Sequence, residues 1–413
     1  MKRFPLYLQI IIALVLGIAA GVFCPSFIKY VDWAGVLFLN ALKMLIVPII
    51  FFSISTSVHR ISCNGDGMLR RIGGKTIGLY LLTMLFAVVT GIVLVTLIHP
   101  GLGVSVSEAA AVPDVARNTG IKDIVTGFVP SNIVAALGSN NTIPVIFLAV
   151  LTGFFVGKIS EQSGKTLTSI LDAGYEITMK ITGWVLIFAP LGIFAIVAGQ
   201  FASIANVGAL LKGMLMYVLT VTAGLVIHTF VTLPLMLRFG ARVRPWRHFS
   251  NMRLPLITAF STASSGATLP LTLEAVEKND GVSGKISHFV VSLGATINMN
   301  GAALLECVAV IFIAQAYGVP LTILQTVTIV IVSILCAIGS AGVPMSAMVM
   351  MAIILSAVGL PLDGIGLVIG VDRVLDMLRT AVNVYGDTCV AVMVAKSEGE
   401  SLSIDRQSAR NAE

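Results

Sequence analysis

Within the apolar stretch Gly364 to Ala395 the chain carries Asp372, Asp376, Arg379, Thr380, Asn383 and Asp387. Steps of 4, 3, 4 and 4 from Asp372 through Asp376, Arg379 and Asn383 to Asp387 put these groups on one face of an α-helix, because a turn takes 3.6 residues. An ionised side chain at the middle of a bilayer costs about 2.5 to 3.5 kcal/mol on insertion scales, so such groups need partners and mark function rather than anchorage. The row fits a binding site for a charged solute, the lining of a channel, or an acid–base pair. An intramembrane enzyme fits least, because Arg379 interrupts the acids and no Ser/His or His/Glu metal constellation accompanies them.

The elements that must position this row are membrane spans. With 57% hydrophobic and 11% charged residues over 413 positions, the chain reads as a polytopic membrane protein. Runs of about 20 apolar residues, enough to cross a bilayer, lie near 6–24, 34–57, 76–98, 143–157, 181–203, 208–237, 286–314 and 364–395. The run that follows Lys2-Arg3 lacks a small-residue cleavage pattern and reads as a retained span. The five cysteines are odd in number and mostly within apolar segments, so they indicate neither a disulfide framework nor a metal site.

The net charge of +6 gathers at span ends and does not point to nucleic acid. His59, Arg60, Arg70, Arg71 and Lys75 follow span two, and Arg238, Arg242, Arg244, Arg247 and His248 follow span six. The positive-inside rule makes both loops cytoplasmic. Lys2 and Arg3 do the same for the N-terminus, and Lys396, Arg406 and Arg410 for the C-terminus. That orientation forces the apolar segments 250–277 and 321–358 to enter and leave on one side. Both read as re-entrant hairpins, centred on Ser261–Pro270 and Ile338–Pro344. Non-helical backbone at membrane depth is tolerated only inside protein or beside water, and two Gly/Pro-broken segments in matching positions mark the midplane site of an inverted-repeat transporter. Two hairpins from opposite faces favour an occluded site over an open pore. Gly294-Ala295-Thr296-Ile297-Asn298-Met299-Asn300-Gly301 in span seven reads as a locally unwound helix whose oxygens, with Asp387, suit an alkali cation.

Four motifs together resemble the dicarboxylate/amino acid:cation symporter family over nearly the whole chain. They are S-T-A-S-S-G-A-T-L-P at Ser261–Pro270, G-A-T-I-N-M-N-G at Gly294–Gly301, G-S-A-G-V-P at Gly339–Pro344 and D-R-V-L-D-M-L-R-T-A-V-N-V-Y-G-D at Asp372–Asp387. The resemblance implies an all-α, elevator-type transporter with eight transmembrane helices and two re-entrant hairpins, working as a homotrimer among membrane lipid in a bacterial cytoplasmic membrane. Residues 1–60 and 125–205 would form the scaffold, 74–100 and 208–396 the transport domain, and 397–413 a cytoplasmic tail. The second hairpin would be the gate.

By the same resemblance, Arg379 holds the side-chain carboxylate of an acidic amino acid, where a planar fork gives bidentate geometry. Asp376 takes the α-amino group, and Thr380 and Asn383 add polar contacts. Ser264 and Ser265, with backbone near Gly342 and Val343, receive the α-carboxylate. Family members specialised for four-carbon dicarboxylates lack the acid at Asp376, so its presence favours aspartate or glutamate. One sodium ion would sit among Asp387, Asn383, Asn298 and the Gly294 carbonyl, and a second between Thr296 and Ala337, Ile338 and Ser340. At a third cation site Tyr80 and Thr83 match, but Asn300 replaces an aspartate and Met84 a small hydroxyl residue, which predicts a weak or missing site. Ala302 stands in place of a threonine. Ala263 and Met377 lack the arginines that family members carry in the first hairpin or span eight. The expected activity is sodium-driven symport with fewer ions, or proton-coupled symport as the alternative.

Overall fold

In lipid a chain satisfies its backbone polar groups within its own segments, which favours helix. The computed structural model describes residues 6–62, 67–104, 129–130, 132–138, 143–203, 207–339 and 346–406, and no strand occurs among them. The first helices are α1 (Leu6–Phe23), α2 (Asp32–Ser62), α3 (Gly67–Ile98), α4 (Ile143–Val156), α5 (Glu161–Ile187), α6 (Ala189–Ser203) and α7 (Val207–Ile227). Beyond α7 the rod continues through wider π-type turns at His228–Thr232 and Leu237–Ala241. There follow α8 (Pro245–Asn251), α9 (Arg253–Thr262), α10 (Ser265–Ala275), α11 (Gly284–Ile297), α12 (Asn300–Ala316), α13 (Ile323–Gly339), α14 (Ser346–Val358) and α15 (Ile369–Ser397).

Among the described residues, four stretches are long and apolar enough to cross a membrane: Asp32–Arg60, Arg71–Ile98, Gly208–Ala241 and Gly284–Ala316. The apolar run at 181–203 is not one straight helix: α5 starts far upstream and stops at Ile187, and α6 leaves it at an angle of 57°. Pro190, one residue into α6, has no N–H to continue the α5 ladder, and the Phe188 amide closes the last turn on Val185 instead. The span expected at 364–395 is α-helical only from Ile369, after a 3-10 turn over Leu362–Leu367.

Helices α1, α2, α4, α5 and α6 pack on one another. α1 comes so close to α6 that a Cβ at Gly21 would stand 2.6 Å from the Ala198 carbonyl, the small-residue contact expected between helices in lipid. Helices α3, α7, α13, α14 and α15 pack around α12. Leu304, Leu305, Val308 and Phe312 of α12 are fully buried, so this span faces protein all round.

Both broken segments fold back. The arms α9 and α10 have 10 and 11 residues, about 15 Å each at about 1.5 Å per residue, half of a hydrocarbon core of about 30 Å. The chain reverses at Ala263, held left-handed at φ +49°, and Ser264 caps α10 by accepting the Ala267 amide at 3.2 Å. α13 and α14 pack as the second pair. Their connection, with Ser340, Gly342 and Val343, lies outside the described residues.

After α15 the chain folds back as a staple. The Glu398 carboxylate receives Lys75 Nζ at 2.6 Å and the Arg71 guanidinium, both from α3, while Glu400 accepts the Ser283 amide at 3.0 Å at the start of α11. Leu402 and Ile404 are buried. Lys75 and Arg71 hold the Glu398 carboxyl below its usual value of 4.5. A depressed carboxyl adds stability above that value and loses it as pH falls through the depressed one. Glu398→Gln is therefore expected to melt lower than wild type at neutral pH, by no more than about 1 kcal/mol for a surface pair, with the gap closing below pH 4.5. Paired thermal melts across pH read this.

Candidate functional site

The polar row on α15 is buried: Asp372, Asp376, Arg379, Thr380, Asn383 and Asp387 are each less than a tenth exposed. Arg379 Nε donates to Asp376 Oδ1 at 2.8 Å, and Arg373 Nη1 reaches Asp376 Oδ2 at 3.4 Å. The two residues expected to take opposite ends of a zwitterion are thus joined to each other. The pair is not saturated. Arg379 Nη1 and Asp372 Oδ1 are both buried without a hydrogen-bond partner. Buried donors and acceptors normally find partners, so unmet capacity here is a chemical property of the site. Thr380 spends its hydroxyl proton on the Asp376 carbonyl at 2.7 Å, leaving its oxygen as an acceptor.

Facing this row, the helical rod breaks between α11 and α12. Asn298 and Met299 leave helical geometry at φ −94°, ψ 72° and φ −100°, ψ 60°. The break sits where the carboxamide motif was expected to unwind. It lets Asn298 Nδ2 donate to Asp387 Oδ1 at 2.9 Å and the Gly301 amide donate to Asn383 Oδ1 at 2.8 Å. A Cβ at Gly294 would stand 2.5 Å from Asp387 Oδ1, so only glycine lets the two backbones approach. The Gly294 carbonyl accepts the Asn298 amide at 2.9 Å and keeps a second lone pair. Asp387, Asn298 and Gly294 thus meet at one point, while Asn383 meets the start of α12 at Gly301.

The other expected groups divide. Ser265 joins hairpin to span by donating to the Ala295 carbonyl at 2.9 Å, while Ser264 is used in its cap. Ala337 and Ile338 are buried, and the Ile338 carbonyl accepts the Ser57 hydroxyl at 3.2 Å; no hydrogen bond among the described residues ties either to Thr296. Ser340, Gly342 and Val343 fall outside the described residues.

Around Asn300 the polar groups are already engaged. Its Nδ2 donates to His228 Nε2 at 3.2 Å, and its Oδ1 accepts the Gly301 amide at 2.9 Å. Tyr80 donates to the Val290 carbonyl at 2.6 Å, and Thr83 lies 3.1 Å from Asn298 Oδ1. Met84 is fully buried.

Sequence reading missed Glu306. It is completely buried on α12 with neither carboxylate oxygen hydrogen bonded, and Arg379 and Asp372 are the charges that act on it. The signal was present, since Glu306 is the only charged residue between Gly301 and Ala316, but it lies beyond the carboxamide motif. His228, the partner of Asn300, was missed for the same reason: it stands alone in an apolar span.

A family model described as Sodium:dicarboxylate symporter family matches residues 6–397. Excitatory amino acid transporter 3 of Oryctolagus cuniculus is 32% identical over 464 residues, covering 97% of this chain and 88% of that protein. Excitatory amino acid transporter 1 of Ambystoma tigrinum is 33% identical over 455 residues, covering 95% and 83%. The Proton/glutamate-aspartate symporter of Escherichia coli K12 is 35% identical over 418 residues, covering 96% and 93%.

Proposed function

The chain belongs to the sodium:dicarboxylate symporter family, whose relatives here are transporters rather than enzymes, and from that premise we propose that it takes up aspartate or glutamate by sodium-coupled symport. The observation that carries this reading is the buried Arg379–Asp376 pair at 2.8 Å with Arg379 Nη1 unmet. An acidic amino acid exchanges partners with this pair: its side-chain carboxylate takes the guanidinium and its ammonium takes Asp376, so neither member of the pair is left alone. Thr380 and Asn383 contact the bound molecule, and Ser264 and Ser265 with the Gly342–Val343 backbone receive its α-carboxylate.

Sodium travels as co-substrate on the oxygens of Asp387, Asn298, Asn383 and Gly294, with a second ion between Thr296 and Ala337, Ile338 and Ser340. A third ion has little to bind, because Asn300 turns its amide nitrogen toward His228 and Met84 offers a thioether. The scaffold and transport units, the elevator motion, the second hairpin as gate and the homotrimer in the bacterial inner membrane belong to the same reading.

Glu306 supports a second reading, coupling to protons. A carboxylate buried without a hydrogen bond is costly, and taking up a proton removes the charge. One experiment separates the two. In proteoliposomes with equal sodium on both sides, accumulation under a proton gradient alone is expected to collapse if sodium drives uptake. Accumulation that persists there, and is abolished by Glu306→Gln, assigns the coupling to the proton.

A further inference from the structure

The basic end of the α7 rod carries a surface that the transport site does not use. Arg238, Arg242 and Arg244 are exposed, and among the described residues no side-chain hydrogen bond or ion pair engages them. Arg247 Nη1 is buried without a partner. Arg242 is held left-handed at φ +55°, a conformation that a side chain other than glycine adopts at a cost, and it lies between the last π-type turn and α8.

Beside these guanidiniums the outward face is apolar. Leu235, Phe239 and Trp246 are 50%, 78% and 62% exposed. Trp246 also stacks with Phe230 at 6.1 Å and meets Phe249 at 6.4 Å, which fixes α8 against the rod. Four arginines at the end of a span satisfy the rule for orienting a membrane protein by charge alone. That rule asks neither for a buried guanidinium nitrogen lacking an acceptor nor for a left-handed arginine.

We propose that the Arg238–Arg247 turn binds the headgroup of an anionic phospholipid, with the guanidiniums on the phosphate and Leu235, Phe239 and Trp246 along the acyl chains. Guanidinium forks match phosphate oxygens, and an indole sits well at the level of headgroups. A soluble phosphate would leave the apolar half unused, so the occupant is a lipid.

Occupancy at this turn has a path to the helix that carries Asp387. His248 of α8 bonds Asp280 at 2.7 Å and Thr388 at 3.0 Å, and its ring stacks on Tyr385 at 5.4 Å. Thr388 and Tyr385 lie on α15 on either side of Gly386 and Asp387.

The test uses the full chain in nanodiscs of phosphatidylcholine mixed with phosphatidylglycerol, followed by mass spectrometry of the lipid retained on the protein. Wild type is expected to enrich phosphatidylglycerol, and Arg242→Gln with Arg244→Gln to lose about fivefold of that enrichment per residue, equivalent to about 1 kcal/mol each. Arg244→Lys, which keeps the charge, is expected to hold most of it. If the double variant does not fold, Arg238→Gln gives the single-residue loss. Enrichment by the variants equal to wild type overturns the site, as does displacement of the lipid by inorganic phosphate at the same low concentration in wild type and variant. Uptake in the two lipid backgrounds reads the coupling: the variant is expected to lose any stimulation by phosphatidylglycerol that wild type shows.

Discussion

Replacing Arg379 by cysteine is expected to abolish binding of aspartate and glutamate. The guanidinium is buried, carries the one hydrogen bond to Asp376 Oδ1 at 2.8 Å, and is the cation that balances Asp372 and Asp376 from within the row. Removing one partner of a buried pair costs about 3 to 5 kcal/mol, more than a hundredfold in affinity at about 1.4 kcal/mol per factor of ten. A thiol is also small and neutral, so neutral amino acids are expected to gain entry. Binding titrations against acidic and neutral amino acids read both changes. Retained affinity for aspartate would remove Arg379 from substrate recognition and send the search for a carboxylate partner to Arg373, which is 35% exposed at its side chain.

The second large effect is expected at Asp387. This carboxylate is 1% exposed, accepts Asn298 Nδ2 at 2.9 Å, and lies so close to Gly294 that only a glycine fits there. Asp387→Asn keeps the shape and removes the charge. A charge-assisted contact is worth about 1.5 to 3 kcal/mol, so the sodium concentration for half-maximal binding is expected to rise about tenfold or more. Substrate titrations at several sodium concentrations measure it. An unchanged sodium response would move the cation away from this cluster. Arg379→Cys and Asp387→Asn probe different ions, since the first should alter substrate choice at any sodium concentration and the second should alter the sodium response for any substrate.

How much of this was legible beforehand depended on whether a pattern was local. The helical face of Asp372, Asp376, Arg379, Asn383 and Asp387 follows from spacing alone, and α15 carries it as a single helix from Ile369 to Ser397. The reversal at Ala263 falls within the small-residue segment that had to turn, and the break at Asn298–Met299 falls within the carboxamide motif. The bend between α5 and α6 was not legible from apolar content, because hydropathy reports burial in lipid and is blind to where a rod changes direction. Glu306 and His228 were invisible for a different reason. Each stands alone in its own segment, and its meaning comes from partners distant in the chain, Arg379 and Asn300. The staple at Glu398 and Glu400 reads in sequence as solvated tail, since only folding brings Lys75, Arg71 and Ser283 beside it.

The interruption between α11 and α12 has an electrostatic consequence. A helix carries roughly half a negative charge at its C-terminus and half a positive charge at its N-terminus. A continuous rod would bury neither pole here. Broken at Asn298–Met299, it sets the negative pole of α11 beside Asp387 and the positive pole of α12 beside the Arg379 backbone and the Asn383 carboxamide oxygen. Two helix dipoles thereby present poles of opposite sign a few residues apart, in the middle of a fully buried span.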